Sequence, residues 1–148
     1  MTDKRTPDKV DQSPDGRQAD VYHFGSASSK LDVGTSEEKI DSGDPIFGSP
    51  IQGGKAVFYN SDTSNAITIR MRASDYDSPG DYSSSPEDWY KVGDDITVPA
   101  ASGGIPGQAV VTWGSVYRWI QFTKHAGASL TGKLWGTVTM NGHIDPDA

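Results

Sequence analysis

Three carboxylates fall within seven residues at Asp75-x-Asp77-x-x-Gly80-Asp81, and clustered loop oxygens of this kind are what a hard cation such as calcium uses. The run starts like a calcium-binding helix–loop–helix motif. Pro79, however, takes the fifth position and Pro86 the twelfth, where a bidentate glutamate belongs. Asp and Gly are also ordinary turn residues, so the segment is expected to be a plain loop and no metal is assigned to it. His23, His125 and His143 are the only imidazoles. None has a His or Cys at zinc spacing, and none has a nameable orienting partner for general-base work.

Other catalytic patterns fail on the same residue-level grounds. No Gly-x-Ser-x-Gly elbow is present. Gly53-Gly54 and Gly103-Gly104 stand outside any strand-to-helix phosphate motif. The carboxylate pairs Glu37/Glu38, Glu87/Asp88 and Asp94/Asp95 are adjacent residues, which point to opposite sides of an extended chain, unlike a glycosidase pair. A small hydrolase using Asp75 or Glu87 of the 74–107 loops would lack a base with an orienter. The expectation is a protein that is not an enzyme, with no catalytic residue and no cofactor.

The aromatic residues carry the stronger signal. In Leu130-Thr-Gly-Lys-Leu-Trp-Gly-Thr-Val-Thr-Met140, Leu130, Gly132, Leu134, Gly136, Val138 and Met140 share one face and Trp135 lies on the other, the period of a strand with one buried face. In Val116–Lys124, Val116, Ile120 and Phe122 point one way, Tyr117 and Trp119 the other. A strand apolar on both sides needs cover on both. If the two strands pair, Tyr117, Trp119 and Trp135 gather into one patch. Three rings of about 150–250 Å² each would rival the roughly 300–600 Å² of the largest apolar patch on a typical monomer. Such a patch is either covered by the loops at 74–86 or 100–107, buried between subunits, or stacked on sugar rings. Trp89, Tyr90 and Trp113 are expected in the core.

The elements that would position these rings are short strands. Asp20–Gly25, Lys30–Val33, Lys55–Asn60, Asn65–Arg72, Trp89–Val92, Asp95–Pro99 and Ala109–Trp113 precede the two terminal strands. Pro45–Ile51 reads as an irregular edge and Thr35–Lys39 as a helical turn or loop. Gly93-Asp94 reads as a hairpin turn, Asn141-Gly142 as another, with a short acidic tail from His143. With 17 Gly and 9 Pro as punctuation, this predicts an all-β domain, an antiparallel β-sandwich or jelly roll of about eight to ten strands. No internal repeat and no convincing helix is visible.

The chain is expected to divide into a flexible N-terminal arm, residues 1–19, and the β-domain, residues 20–148. Lys4, Arg5, Lys9 and Arg17 alternate with Asp3, Asp8, Asp11 and Asp15, and Val10 is the arm's only branched apolar residue. Alone, such a segment buries too little to offset its ordering entropy. A net charge of −7 disfavours nucleic acid, whose affinity comes mainly from Lys and Arg. No apolar run approaches the roughly 18 residues of a membrane span, and the charged start lacks the apolar core of a secretory signal, so a cytoplasmic product is expected. The absence of cysteine leaves the redox compartment open.

The polar arm, the acidic Cys-free β-body and the strand Tyr117-Arg118-Trp119-Ile120-Gln121-Phe122, followed by Gly-spaced Leu130-Thr-Gly-Lys-Leu-Trp-Gly136, resemble the jelly-roll head-decoration (cement) proteins of tailed phages. The resemblance covers the last third of the chain and the overall architecture. It implies a viral structural protein of the virion, a homotrimer that stabilises the phage head by clamping neighbouring subunits of the major capsid protein. It also implies an arm threading onto the shell, and a place on the capsid surface after synthesis in the host cytoplasm. The surfaces expected to meet a subunit or partner are the rings of Tyr117, Trp119 and Trp135, with Lys4, Arg5 and Val10 of the arm. The alternative is a carbohydrate-binding module or virion adhesin that uses the same three rings as a platform.

Overall fold

The structure, a computed structural model, describes residues 3–12, 17–48 and 53–144. Pro14 and Asp15 of the arm, Pro50 and Ile51 of the irregular edge, and the tail at 145–148 lie outside the described residues. The strands are β1 (Lys9–Gln12), β2 (Arg17–Phe24), β3 (Leu31–Val33), β4 (Glu38–Lys39), β5 (Ile46–Phe47) and β6 (Gly54–Asn60). They continue with β7 (Ile67–Ser74), β8 (Tyr90–Val98), β9 (Gly107–Trp113), β10 (Trp119–Ala126) and β11 (Leu130–Ile144).

Two antiparallel sheets form the body. The first runs β1-β2-β11-β6-β9 with β3 also on β11; the second runs β4-β10-β7-β8 with β5 also on β10. The pairs are nested: β2 with β11, β4 and β5 with β10, β6 with β9, β7 with β8. A long hairpin rolled up so that successive pairs fall alternately into two sheets leaves this pattern, and it is a jelly roll. Pairing of β11 with β6 and of β10 with β7 joins the nested pairs within each sheet.

The core lies between the sheets. Phe58 and Phe122 meet edge to face at 5.4 Å, and Phe24 lies 6.1 Å from Phe122 and 6.4 Å from Phe58. Ile67, Ile69 and Met71 of β7 and Leu134, Val138 and Met140 of β11 are buried around them, as the alternation predicts. Asn60 is buried too, and its amide donates to the carbonyls of Asn65, Val98 and Pro99, so a polar side chain pins the end of β6 to the approach to β7 and the end of β8 in the other sheet.

Several expectations give way. Gly93-Asp94 is no hairpin turn: β8 runs through it, and the register slips opposite Arg70, between Ile69↔Ile96 and Met71↔Val92. Gly93 takes a φ of 70° there, so the Gly-Asp signal marks a bulge. Asn141-Gly142 likewise sits at a register slip within β11, between Met140 and His143, instead of ending the strand. Of the two readings of Thr35–Lys39 the helical turn fails: residues 35–37 are loop, and Glu38–Lys39 is the short β4. Val116 lies outside β10 and is exposed, not turned inward with Ile120.

The leading segment also departs from a free arm. Lys9–Gln12 pairs along β2, and β2 itself begins at Arg17, so the proposed boundary at residue 19 falls inside a strand. Arg5 donates from Nη1 to Asp41 at 2.8 Å and from Nη2 to the His23 carbonyl, with its guanidinium 4.6 Å above the Phe24 ring. A composition argument counts only apolar burial. It misses a backbone ladder and a charge-assisted fork, which together offset the ordering entropy.

Candidate interaction surfaces

The patch expected from Tyr117, Trp119 and Trp135 requires β10 and β11 to be neighbours, and they lie in different sheets. The three rings therefore do not form one surface. Trp119 is 5% exposed and packs edge-on against Phe47 at 4.9 Å. Tyr117 is half-buried and packs against the core. Trp135, also half-buried, stacks on Tyr59 at 5.2 Å with the Lys30 ammonium over its ring. Of the arm residues, Lys4 and Val10 are exposed, while Arg5 is turned onto its own body. Trp113 is half-buried against the core; Trp89 is buried, and Tyr90 is exposed instead of buried.

The two sheets present very different outer faces. Outside the second sheet lies a charged lattice. Glu37 accepts from Arg72 (Nε at 2.9 Å, Nη2 at 2.8 Å), from Arg70 Nη1 at 2.7 Å and from the Thr123 hydroxyl. Arg70 also forks onto Asp95, which the β8 bulge brings opposite it, and Lys91 joins at 3.0 Å. Burial alone would raise the Glu37 carboxyl, but the hydrogen bonds from Thr123, Arg72 and Arg70 outweigh it and bring it down to about 2. Arg70 and Lys91 hold Asp95 well below the usual carboxylate range. Gln121 is buried on this face, donating to Asp81 and accepting from the Tyr82 amide. Both faces of β10 are thus covered, the outer one by polar loops. Glu37 and Glu38 point apart as adjacent extended residues should: Glu38 takes Lys124 at 2.9 Å.

Outside the first sheet the centre of the face is nearly neutral, with Lys9 and Asp11 of β1 and Asp32 of β3 at its margins. Three rows cross its central strands: His23, Thr137, Val57 and Val110; then Val21, Thr139, Lys55 and Thr112; then Trp135, Tyr59 and Gln108. Val110 is 60% exposed. No carboxylate stands in these rows, although the chain carries 20. Single strands do not disclose this surface, because it exists only once β2, β11, β6 and β9 lie side by side; the alternation of Thr and Val with buried residues is its faint sequence trace.

The Asp75–Asp81 loop spreads its carboxylates. Asp75 accepts from the Tyr90 hydroxyl, Asp77 pairs with Arg118 at 3.0 Å, and Asp81 with Lys39. Among the described residues no group of three or more His, Asp or Glu is placed to hold a metal ion. His23 is exposed, and its backbone amide donates to Asp8; His125 lies on β10, and His143 pairs with Gln18 in β11.

No protein-family model and no curated protein matches the chain. Among solved structures it is similar to the Eiger TNF from S. frugiperda, at 12% identity and a TM-score of 0.43, over 85% of this chain and 95% of that one.

Proposed function

We propose that this jelly roll is a non-enzymatic assembly protein that holds other protein chains against the outer face of its first sheet, and that its finer role is decoration of a phage head. The observation that carries the reading is that the central rows of this face hold no carboxylate, on a chain of net charge −7; Asp11 on β1 and Asp32 on β3 stand only at its margins. Two copies, or a copy and another acidic protein, repel each other least where no carboxylate stands. Half-exposed Val, Thr and aromatic side chains supply apolar area there without long side chains to immobilise.

Size argues for repeated engagement. Four strands about 4.8 Å apart and about 20 Å long offer on the order of 400 Å² of flat surface. A stable complex usually covers about 800 Å² per partner, so one such contact is weak. Presented on an oligomer to a repeating lattice, weak contacts multiply through effective concentration. The major capsid protein of a phage head supplies such a lattice, and a homotrimer of this chain the matching valence.

The test combines sedimentation of the purified protein with co-sedimentation on expanded phage capsids, for the wild type and for Val110→Glu and Val57→Glu. The reading expects an oligomer and capsid binding, both weakened at least about tenfold (about 1.4 kcal/mol) by either charge. A monomer that ignores capsids, or binding unchanged by both substitutions, overturns it.

A further inference from the structure

At the end of the second sheet, where β7 leaves and β8 begins, an open cleft of about 470 Å³ is lined by Asp75, Tyr76, Glu87, Asp88, Trp89 and Tyr90. Its wall is held in place. The Asp88 carboxylate accepts from the Gly80 amide at 2.8 Å, and the Trp89 indole donates to the Gly80 carbonyl at 2.7 Å. Asp88 ends the short 3-10 turn at Pro86–Asp88 and Trp89 follows it, so turn and loop brace each other. Two large rings are left in water: Tyr76 is 60% and Tyr90 43% exposed.

Charge distinguishes the cleft from an ordinary apolar hollow. Asp77, just outside it, is neutralised by Arg118. Among the described residues Asp75 meets only the neutral Tyr90 hydroxyl, at 3.3 Å and 3.5 Å from its two oxygens. Glu87 is exposed and has no ion-pair partner among the described residues. Phenol faces next to carboxylates without a cation complement one kind of side chain. A planar guanidinium stacks on the ring and forks onto the acid, as a compact ammonium cannot.

We propose that this cleft is a docking site for an arginine side chain presented by a partner protein. The first sheet's neutral face plays no part in it, so the two surfaces serve separate contacts. The braced wall means that little ordering is needed on binding. The chain's own Arg118 makes an arginine–carboxylate pair with Asp77 one step away.

The test titrates isotope-labelled protein with a short peptide carrying two arginines, its lysine and citrulline counterparts, and a panel of neutral oligosaccharides, with amide shifts as the readout. Shifts should concentrate at residues 75–90 for the arginine peptide, weaken at least threefold with lysine, and vanish with citrulline. Glu87→Gln and Tyr76→Ala replace exposed side chains, so both variants should keep the wild-type melting temperature. Each should weaken the arginine peptide at least threefold, and added salt should weaken it further. Citrulline binding equal to arginine, shifts elsewhere, oligosaccharide occupancy of the same residues, or two folded variants that bind like the wild type would each overturn the assignment.

Discussion

Arg72 and Glu37 meet fork to fork on the outer face of the second sheet, Arg72 Nε on Oε2 at 2.9 Å and Nη2 on Oε1 at 2.8 Å. Arg70 and Thr123 close on the same carboxylate, tying the loop before β4 to β7 and β10. One acid thus organises three segments far apart in sequence. Replacing it with Gln should cost about 1.5–3 kcal/mol, the range for hydrogen bonds to a charged group, read as a shift in the urea midpoint at neutral pH.

The same carboxylate sets a pH dependence. Its pKa falls from 4.5 to about 2 on folding, so the unfolded chain takes up the proton first as pH drops. The stabilisation is whole above about pH 4.5 and is lost as pH falls through about 2. The stability gap between the wild type and Glu37→Gln should therefore close over that window. A gap that stays constant down to pH 2 would contradict the assignment.

Arg5 joins the leading segment to the body through Asp41, the His23 carbonyl and the Phe24 ring. Arg5→Ala is expected to lose about 1–3 kcal/mol and to speed amide exchange at Val10 and Asp11 without altering exchange in β7. Unchanged exchange in β1 would show that the hairpin ladder alone holds the segment.

Trp119 and Trp135 should separate sharply. Trp119 is 5% exposed, so Trp119→Ala creates a cavity and should cost about 3–5 kcal/mol. Trp135→Ala removes a half-exposed ring and its stack on Tyr59, a loss of about 1–2 kcal/mol from pairing and partial burial. Thermal or urea unfolding of the two variants measures this; equal losses would mean that Trp135 is as buried as Trp119.

Gly136 is a further site for a stability test. A Cβ there would stand 2.6 Å from the Val57 carbonyl oxygen and 2.7 Å from a Phe58 ring carbon. Gly136→Ala must push β11 away from β6 and should lose about 1–3 kcal/mol through overpacking, measurable as a fall in melting temperature. Gly93→Ala meets no neighbour but strains a left-handed backbone at φ 70°, so it should be costly for a different reason.

What was legible in the sequence was local. The alternation of Leu134, Val138 and Met140 against Trp135, Thr137 and Thr139 declares which side of β11 is buried, because side chains in a strand alternate whatever lies beside it. The same rule separates Ile67, Ile69 and Met71 from Arg70 and Arg72, and it sends Glu37 and Glu38 to opposite partners. The all-β class and the double covering of β10 follow from such patterns.

Which strands become neighbours depends on pairings between residues distant in the chain, and no local period carries them. Trp119 and Trp135 sit sixteen positions apart yet belong to different sheets, so the aromatic patch dissolves, whereas Glu37 and Arg72 are drawn together. The acid-free centre of the first sheet's outer face, the Tyr76–Tyr90 cleft and the docked leading segment are likewise products of tertiary packing. Each is made by side chains from several strands or loops, and their charge and exposure acquire meaning only when those segments share one surface.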